Sequence, residues 1–190
     1  MSEQISGLVL SGGAGRRMGG RDKGWVEWQG RPLIEHVLAR LQPQVAQVLI
    51  SANRNRERYA GLGADVFGDA PGGEVFPGPL AGIAAGLARV RTEWLLVVPC
   101  DAPLLPLDLA ARLAHGRGTA RAAVASVEQR VEPLFCLLAH DLADDARDAL
   151  HAGERSVARW LAAVGAAPVT CSDAQSFVNI NSADDDRSAA

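Results

Sequence analysis

A short apolar run, residues 5–10, passes directly into a segment rich in glycine and arginine, and this junction restricts the fold more than any other part of the sequence. The apolar run predicts a buried strand, and the glycines after it predict a tight connection to the next element. A continuous apolar run at 94–98 predicts a central strand that is covered on both faces. Such runs alternate with segments of helical periodicity, so we expect an α/β fold with a mostly parallel sheet and right-handed crossovers.

The remaining elements follow from the spacing of apolar residues and from turn residues. Pro32 suits the first turn of a helix that runs to about Leu41, and Asn53 suits the cap of a short helix. The segment 68–79 combines prolines and glycines, is longer than a simple connection requires, and predicts a binding loop. The other predicted strands are 45–51, 64–67, 122–127 and 133–138, and the other predicted helices are 80–90, 107–115, 141–152 and 156–164.

Length and composition limit the classes of function. A chain of 190 residues can bury a full core, so we expect residues 1–190 to form one domain. A net charge of −3 argues against the sequence-wide basic field of a non-specific nucleic-acid binder. No apolar stretch approaches the roughly 20 residues that span a bilayer. The cysteines lack the CxxC spacing of zinc or redox sites, and the N-terminus lacks a signal-peptide pattern, so we expect a cytoplasmic protein.

The segment 10–24 fits neither of two well-known phosphate-binding loops. A dinucleotide-binding fingerprint beginning at Gly13 requires glycine at the position where the chain has Met18. A Walker loop requires glycine immediately before its lysine and Ser or Thr after it, whereas Lys23 follows an aspartate and precedes a glycine. Both of these loop types are therefore excluded.

The same segment nevertheless suits an anionic ligand. Its glycines allow backbone N–H groups to approach anionic oxygens, and Arg16, Arg17 and Lys23 can neutralise a triphosphate. An ordinary connection from strand to helix needs one or two glycines, and surface arginines near it are common. The glycines and cations here exceed that need, which favours a triphosphate-binding loop.

The run LSGGAGRRMGGRDKG at 10–24 closely resembles the N-terminal signature of the molybdenum cofactor guanylyltransferases, members of the Rossmann-like nucleotidyltransferase superfamily. Further matching segments are FPGPLAG at 76–82 and PCDAP at 99–103, and the resemblance extends from residue 8 to about 182. It implies a three-layer Rossmann-like nucleotidyltransferase fold, with a mostly parallel central sheet and helices on both faces. It also implies that the N-terminal half binds the nucleotide and that the C-terminal half mainly binds the pterin.

The resemblance implies transfer of GMP from GTP to molybdopterin, with release of pyrophosphate. It implies Mg²⁺ as cofactor, which Mn²⁺ is able to replace, and it implies Arg17, Lys23 and Asp101 as catalytic residues. Asp101 follows the strand at 94–98, beside the glycine-rich loop, which suits a metal ligand; its alternative role is to cap the next helix. The implied protein partners are molybdopterin-delivery proteins and apo-molybdoenzymes or their chaperones, with neither nucleic acid nor membrane as a partner.

The resemblance also implies two sets of binding residues. The nucleotide set is Leu10, Ser11, Gly12, Gly13, Gly15, Lys23, Asp69, Gly78, Gly82 and Asp101. The pterin set is Glu132, Arg155, Asn179 and Asn181. Asp69 suits the guanine edge, because a carboxylate accepts two hydrogen bonds there, but it equally suits a turn cap. Asn179 and Asn181 would face the same side if they occupy one strand, and their alternative role is local turn capping.

Two other kinds of function are compatible with these residues. A related enzyme would transfer CMP to molybdopterin or act on another small phosphate acceptor, although the pair of glycines at 12–13 favours guanine. A protein of another class would bind nucleotide and carry the cofactor without turnover. A comparison of GTP with CTP distinguishes the first alternative, and pyrophosphate release in the presence of GTP and molybdopterin distinguishes the second.

Overall fold

The computed structural model of the chain describes residues 4–11, 22–68 and 78–180. Within these ranges the strands are β1 (Ile5–Leu10), β2 (Glu27–Trp28), β3 (Arg31–Pro32), β4 (Gln47–Ser51), β5 (Asp65–Phe67), β6 (Trp94–Pro99), β7 (Ala122–Val127), β8 (Arg130–Ala139) and β9 (Ala167–Thr170). The helices are α1 (Leu33–Leu41), α2 (Arg56–Ala60), α3 (Pro79–Leu87), α4 (Leu109–Gly116), α5 (Ala143–His151) and α6 (Val157–Ala163).

Seven of these strands form one sheet in the order β5-β4-β1-β6-β8-β7-β9. β1 pairs in parallel with β4 and β6, β4 pairs in parallel with β5, and β7 pairs in parallel with β9. Among the seven, β8 alone runs against its neighbours β6 and β7. The expected α/β fold with a mostly parallel sheet is confirmed.

Helices cover both faces of the sheet, because alternate residues of each buried strand point to opposite sides. On one side, Val9 of β1 belongs to the same buried cluster as residues of α1, α2 and α4. On the other side, Leu8 belongs to a second buried cluster with residues of α3, α5 and α6. The three-layer arrangement is therefore confirmed. None of the helices in the described ranges is long and apolar enough to cross a membrane.

The condition under which Asn179 and Asn181 would face the same side, a shared strand, is not met in the described residues, because Asn179 does not lie on a strand. The chain forms a 3₁₀ turn at Ala174–Phe177 and irregular backbone at 178–180. The backbone N–H of Ile180 donates to the carbonyl of Asp101 at 2.8 Å, and the Ile180 side chain packs with Trp28. At Ile180 the backbone N–H is therefore bound to the loop after β6, whereas the N–H of Val178 is bound within the 3₁₀ turn, to the carbonyl of Gln175.

One further prediction about local structure is corrected. The short helix α2 has Asn55, not Asn53, at its N-cap, and Asn55 adopts the left-handed region with φ 51°. The Asn55 side chain makes no capping hydrogen bond and instead donates to Asp22 Oδ2 at 3.0 Å. The strand β9 was not predicted, because its four residues form no apolar run; in the structure they alternate between partly buried and exposed positions.

The carboxyl ends of three neighbouring strands meet at one edge of the sheet. The N–H of Ser11, directly after β1, donates to the carbonyl of Ser51 at the end of β4, at 2.8 Å. The N–H of Cys100, directly after β6, donates to the carbonyl of Leu10 at 3.2 Å. In open α/β sheets, ligands bind at this edge, where the connections leave the strands. The fold therefore brings the ends of β1, β4 and β6 together at a candidate ligand site.

Candidate active site

The centre of the candidate site is a contact between two residues that are distant in sequence. Lys23 Nζ lies 2.8 Å from Asp101 Oδ2. The side chain of Asp101 is 8% exposed, whereas that of Lys23 is 35% exposed. The sequence-based interpretation required these two side chains to face the same crevice, and the structure places them in direct contact.

The fully buried strand β6 positions Asp101. All six residues of β6 are buried, and the chain leaves the strand with Asp101 two residues beyond its end. A hydrogen bond from Ile180 to its carbonyl fixes the backbone at this position. The N-cap position of the next helix, α4, is held by Asp108. The Asp101 carboxylate is therefore not the cap of that helix, and it faces Lys23 at the carboxyl edge of the sheet.

A short 3₁₀ turn, Lys23–Trp25, presents Lys23 to this carboxylate. Asp22 caps the turn, because its Oδ1 accepts a hydrogen bond from the N–H of Gly24 at 3.3 Å. Lys23 is also the only lysine among the 19 residues of Lys and Arg in the sequence. This compositional signal was not used in predicting the site. An ammonium group is a compact, strongly hydrated charge, and an arginine at this position would not be equivalent to it.

Three residues near the lysine were not predicted as part of the site. Tyr59 Oη donates to Asp22 Oδ1 at 2.6 Å, and Asn55 donates to the other oxygen of the same carboxylate. No sequence pattern marked these positions. Tyr59 is fully buried and resembles any aromatic residue on the inner face of a helix, whereas Asp22 resembles an ordinary turn residue.

The predicted residue Gly78, at the start of α3, lies close to the loop before α6. Gly78 is the N-cap residue of α3 and has φ 89°, a region that favours glycine. A Cβ atom on Gly78 would lie 3.7 Å from the carbonyl oxygen of Arg155. Gly82 is buried within α3. The structure therefore brings a predicted nucleotide residue, Gly78, beside a predicted pterin residue, Arg155.

The guanidinium of Arg155 contributes to the connection between α5 and α6. Its Nη1 donates to the carbonyls of Leu150 and Glu154, each at 2.9 Å. The Glu154 carboxylate is in turn bound by the Arg159 guanidinium, which holds the pKa of Glu154 at about 2. These contacts order the loop that faces Gly78. The role of Arg155 in pterin binding stays a prediction.

The other predicted pterin residues occupy different positions along the sheet. Asn179 directly precedes Ile180 and so lies one residue from the hydrogen bond to Asp101. Glu132 lies on β8, opposite Ala125, next to a shift in the register between β7 and β8. The structure thus places Asn179 close to the Lys23–Asp101 contact and Glu132 on the half of the sheet beyond β6.

Several predicted site residues lie outside the residues that the structure describes. They are Gly12, Gly13, Gly15, Arg16, Arg17, Asp69 and Asn181. Of the predicted nucleotide residues that are described, Leu10 ends β1 and Ser11 directly follows it, at the same edge of the sheet as Asp101.

The cysteine next to Asp101 does not have the properties of a nucleophile. Burial raises the pKa of the Cys100 thiol to about 12, and burial also raises the pKa values of Cys136 and Cys171. A thiol that is protonated at neutral pH neither attacks a substrate nor binds a metal. Cys100 is therefore a small buried residue beside the site and not a reacting group.

We expect the native protein to react very slowly with the thiol reagent DTNB at pH 8, because all three cysteines are buried and their raised pKa values keep them protonated. Unfolding in guanidinium should release all three thiols, as measured by absorbance. Rapid reaction of one thiol in the folded protein, blocked by Cys100→Ala, would contradict this account of the site.

The sequence matches one protein family along most of its length. The family described as MobA-like NTP transferase domain matches residues 7–167. A molybdenum cofactor guanylyltransferase from Shewanella amazonensis is 46% identical over 184 residues, which cover 95% of this chain and 93% of the relative. The protein of the same name from Ralstonia nicotianae is 44% identical over 191 residues, again with 95% and 93% coverage.

The fold is similar to that of a solved relative. The crystal structure of molybdopterin-guanine dinucleotide biosynthesis protein A from Archaeoglobus fulgidus superposes with a TM-score of 0.74 at 27% sequence identity. The superposition covers 97% of this chain and 96% of that protein. The overall fold is therefore shared with a protein of similar length.

Proposed function

Because the chain belongs to the MobA-like NTP transferase family, we propose that it transfers GMP from GTP to molybdopterin and releases pyrophosphate. The observation that carries this proposal is the contact between Lys23 and Asp101 at the carboxyl edge of the sheet. Relatives at 44–46% identity that are named molybdenum cofactor guanylyltransferase support the choice of guanine and of molybdopterin as acceptor.

The proposed reaction is a single in-line displacement. An oxygen of the acceptor's terminal phosphate forms a bond to the α-phosphorus of GTP, and the bond from that phosphorus to the oxygen bridging to the β-phosphate breaks. The electron pair of that bond leaves with pyrophosphate. The acceptor phosphate is ionised at neutral pH, so the protein does not need a strong base; it needs to hold two anions together and offset their repulsion.

Lys23 is suited to offset this repulsion. Its ammonium group is partly exposed, so it can exchange the Asp101 carboxylate for a phosphate oxygen without crossing a buried region. Before the nucleotide binds, the ion pair keeps the buried Asp101 carboxylate partnered, which avoids the cost of an isolated buried charge. Arg17, which lies outside the described residues, is proposed to stabilise charge on the departing pyrophosphate.

The Asp101 carboxylate suits Mg²⁺, which binds through oxygen ligands, often one or two carboxylates together with substrate phosphates. In the ranges 4–11, 22–68 and 78–180, no group of three or more His, Cys, Asp or Glu side chains could hold a metal by itself. A single buried carboxylate beside the expected triphosphate therefore fits a metal shared with the substrate. When bound, Mg²⁺ would neutralise phosphate charge; Mn²⁺ is proposed as a substitute.

The proposal also includes a cellular setting. We place the reaction in the cytoplasm, with transient contacts to proteins that deliver molybdopterin and to apo-molybdoenzymes or their chaperones. A net charge of −3 gives no reason to expect a nucleic acid as a further partner.

The decisive test is product identity. The protein would be incubated with Mg²⁺, molybdopterin and each of the four common nucleoside triphosphates in turn, with pyrophosphate and the pterin product measured by chromatography and mass spectrometry. We expect the guanine dinucleotide from GTP and little product from the others. Equal or faster product formation from CTP would replace guanylyl transfer with cytidylyl transfer, and binding of GTP without pyrophosphate release would indicate a carrier.

We expect GTP to raise the thermal midpoint more than CTP at equal concentration in the presence of Mg²⁺. A ligand that binds only the folded state at about 100 times its Kd stabilises it by about 2.7 kcal/mol, which raises the Tm of a chain of this size by about 5–10 °C. Differential scanning fluorimetry measures the two shifts directly. A larger shift with CTP would contradict the preference for guanine.

A further inference from the structure

The hydroxyl group of Tyr59 contacts both residues that flank the glycine-rich segment 12–21. Ser11, which precedes the segment, has its Oγ 2.5 Å from Tyr59 Oη. Asp22, which follows the segment, accepts a hydrogen bond from the same hydroxyl at 2.6 Å. A single side chain on α2 therefore connects the start of this segment, at the end of β1, with its end, next to Lys23.

The direction of these hydrogen bonds follows from the donors available. The proton of Tyr59 is donated to the Asp22 carboxylate, so the Tyr59 oxygen accepts the proton of the Ser11 hydroxyl. Burial is the main cause that raises the pKa of Tyr59 far above its ordinary value, so the hydroxyl stays protonated at neutral pH. The chain from Ser11 through Tyr59 to Asp22 therefore ends on a charged acceptor, which makes its last hydrogen bond a strong one.

The packing around this hydroxyl leaves little freedom. A Cβ atom on Gly24 would lie 2.5 Å from Tyr59 Oη and 3.0 Å from Ser11 Oγ, so a larger residue would not fit without a shift. The Tyr59 ring contacts Trp25, with 5.0 Å between the ring centroids. The guanidinium of Arg58 lies 3.7 Å from the centroid of the Trp25 ring. The turn that carries Lys23 is thus held against α2 on both sides of the lysine.

We infer that Tyr59 is a positioning residue for the triphosphate site: its hydroxyl holds Asp22 next to Ser11 at the end of β1 and so sets where Lys23 stands beside Asp101. This rests on the proposed function only in taking the ligand at Lys23 and Asp101 to be GTP. Tyr59 itself is fully buried and acts on the nucleotide through Asp22 and Lys23.

The first test is Tyr59→Phe, which keeps the ring and its contact with Trp25 but removes the hydroxyl. Without that hydroxyl, the arrangement able to bind the triphosphate is a smaller fraction of the folded population, and the apparent affinity falls by that fraction. We expect the KM for GTP to rise about 10-fold while kcat changes less than about threefold, because the loss is in binding and not in the chemical step.

The matched control is Thr92→Val, which also removes one buried hydroxyl group. Thr92 Oγ1 lies 2.7 Å from Ser6 Oγ. Ser6 lies near the start of β1, whereas the candidate site lies at the end of that strand. This variant should keep the wild-type KM for GTP. If Tyr59→Phe lowers the Tm as Thr92→Val does and leaves the KM equally unchanged, Tyr59 is only structural and the inference is overturned.

A double-mutant cycle with Lys23 tests the route of the effect, with the Kd for GTP measured by calorimetry since Lys23 variants turn over slowly. If Tyr59 acts through Lys23, Tyr59→Phe should weaken GTP binding by much less than about 10-fold in a Lys23→Met background. An equal loss in both backgrounds overturns the inference. Should Tyr59→Phe not fold, Asp22→Asn provides the same cycle, because it weakens the acceptor of the Tyr59 hydrogen bond.

The proposed function and this inference fail in different ways. If the wild-type protein binds GTP but yields no guanine dinucleotide, the proposed function is wrong, and the calorimetric cycle still decides the role of Tyr59. If the wild-type protein makes the dinucleotide and Tyr59→Phe has the wild-type KM and Kd for GTP, the proposed function stands and the inference is wrong.

Discussion

Asp101→Asn is expected to lower kcat/KM for GMP transfer by at least about 10³-fold. The amide keeps the size of the side chain but removes the negative charge that pairs with Lys23 and that suits Mg²⁺. Steady-state rates of pyrophosphate release measure the loss, and a titration with Mg²⁺ should show that the variant needs far more metal. Near-normal turnover at ordinary Mg²⁺ concentrations would remove Asp101 from the proposed metal site.

The control for this variant is Asp108→Asn. Asp108 also follows β6, but its side chain is exposed and forms an ion pair with Arg112 at 2.8 Å on the surface. Exposed ion pairs contribute little to stability, and this one lies on α4, so the rate should stay within about twofold of wild type. A comparable loss of rate in Asp108→Asn would mean that the rate depends on the total negative charge of this region and not on a specific role of Asp101.

Lys23→Met is expected to lower kcat/KM for GTP by about 10²–10³-fold, because removal of one group that stabilises developing charge has about this effect. Lys23→Arg should restore only part of the activity. The guanidinium keeps the positive charge, but it is planar and larger than an ammonium group, and it would have to reach both Asp101 and a phosphate from the same turn. Initial rates at several GTP concentrations would measure both effects.

Arg147→Met is the matched control, since Arg147 is an exposed cation on α5 that forms ion pairs with Asp144 and Asp148. It should keep the wild-type rate.

The single lysine of the sequence offers a second measurement. MgGTP should slow the modification of Lys23 by an amine-specific reagent, and mass spectrometry would measure the extent of modification. Unchanged modification at saturating MgGTP would argue against a direct contact between Lys23 and the nucleotide.

The main parts of the fold could be predicted because they depend on local patterns. The strand β6 is a continuous apolar run, β1 is a short apolar run that contains one serine and one glycine, and β7 was predicted with its observed bounds. Asp101 could be assigned to the ligand-binding edge because it directly follows a buried parallel strand, and parallel strands bring their carboxyl ends together. The expectation that Lys23 lies at the same crevice needed only the assumption that the first glycine-rich connection lies at that edge, whereas the direct ion pair between Lys23 and Asp101 was not predicted.

The parts that were missed depend on contacts between distant residues. Asparagine is a common helix-capping residue, but the amide of Asn55 donates a hydrogen bond to Asp22, 33 positions earlier. No local sequence pattern reveals this contact. Tyr59 has the pattern of an ordinary core residue, and only the three-dimensional structure shows its hydroxyl between Ser11 and Asp22. The segment at 178–180 alternates as a strand would, yet its backbone is bound to the loop after β6.

The hydrogen bond from Ile180 to the carbonyl of Asp101 joins the last part of the described chain to its interior, while the Ile180 side chain packs with Trp28 and Leu33 near the beginning. All seven strands of the sheet precede Ile180 in the chain, since the last of them, β9, ends at Thr170. A chain shortened to residue 179 would therefore keep every strand of the sheet and still lose the hydrogen bond that supports the loop carrying Asp101. The sheet and the position of the carboxylate thus depend on different parts of the sequence.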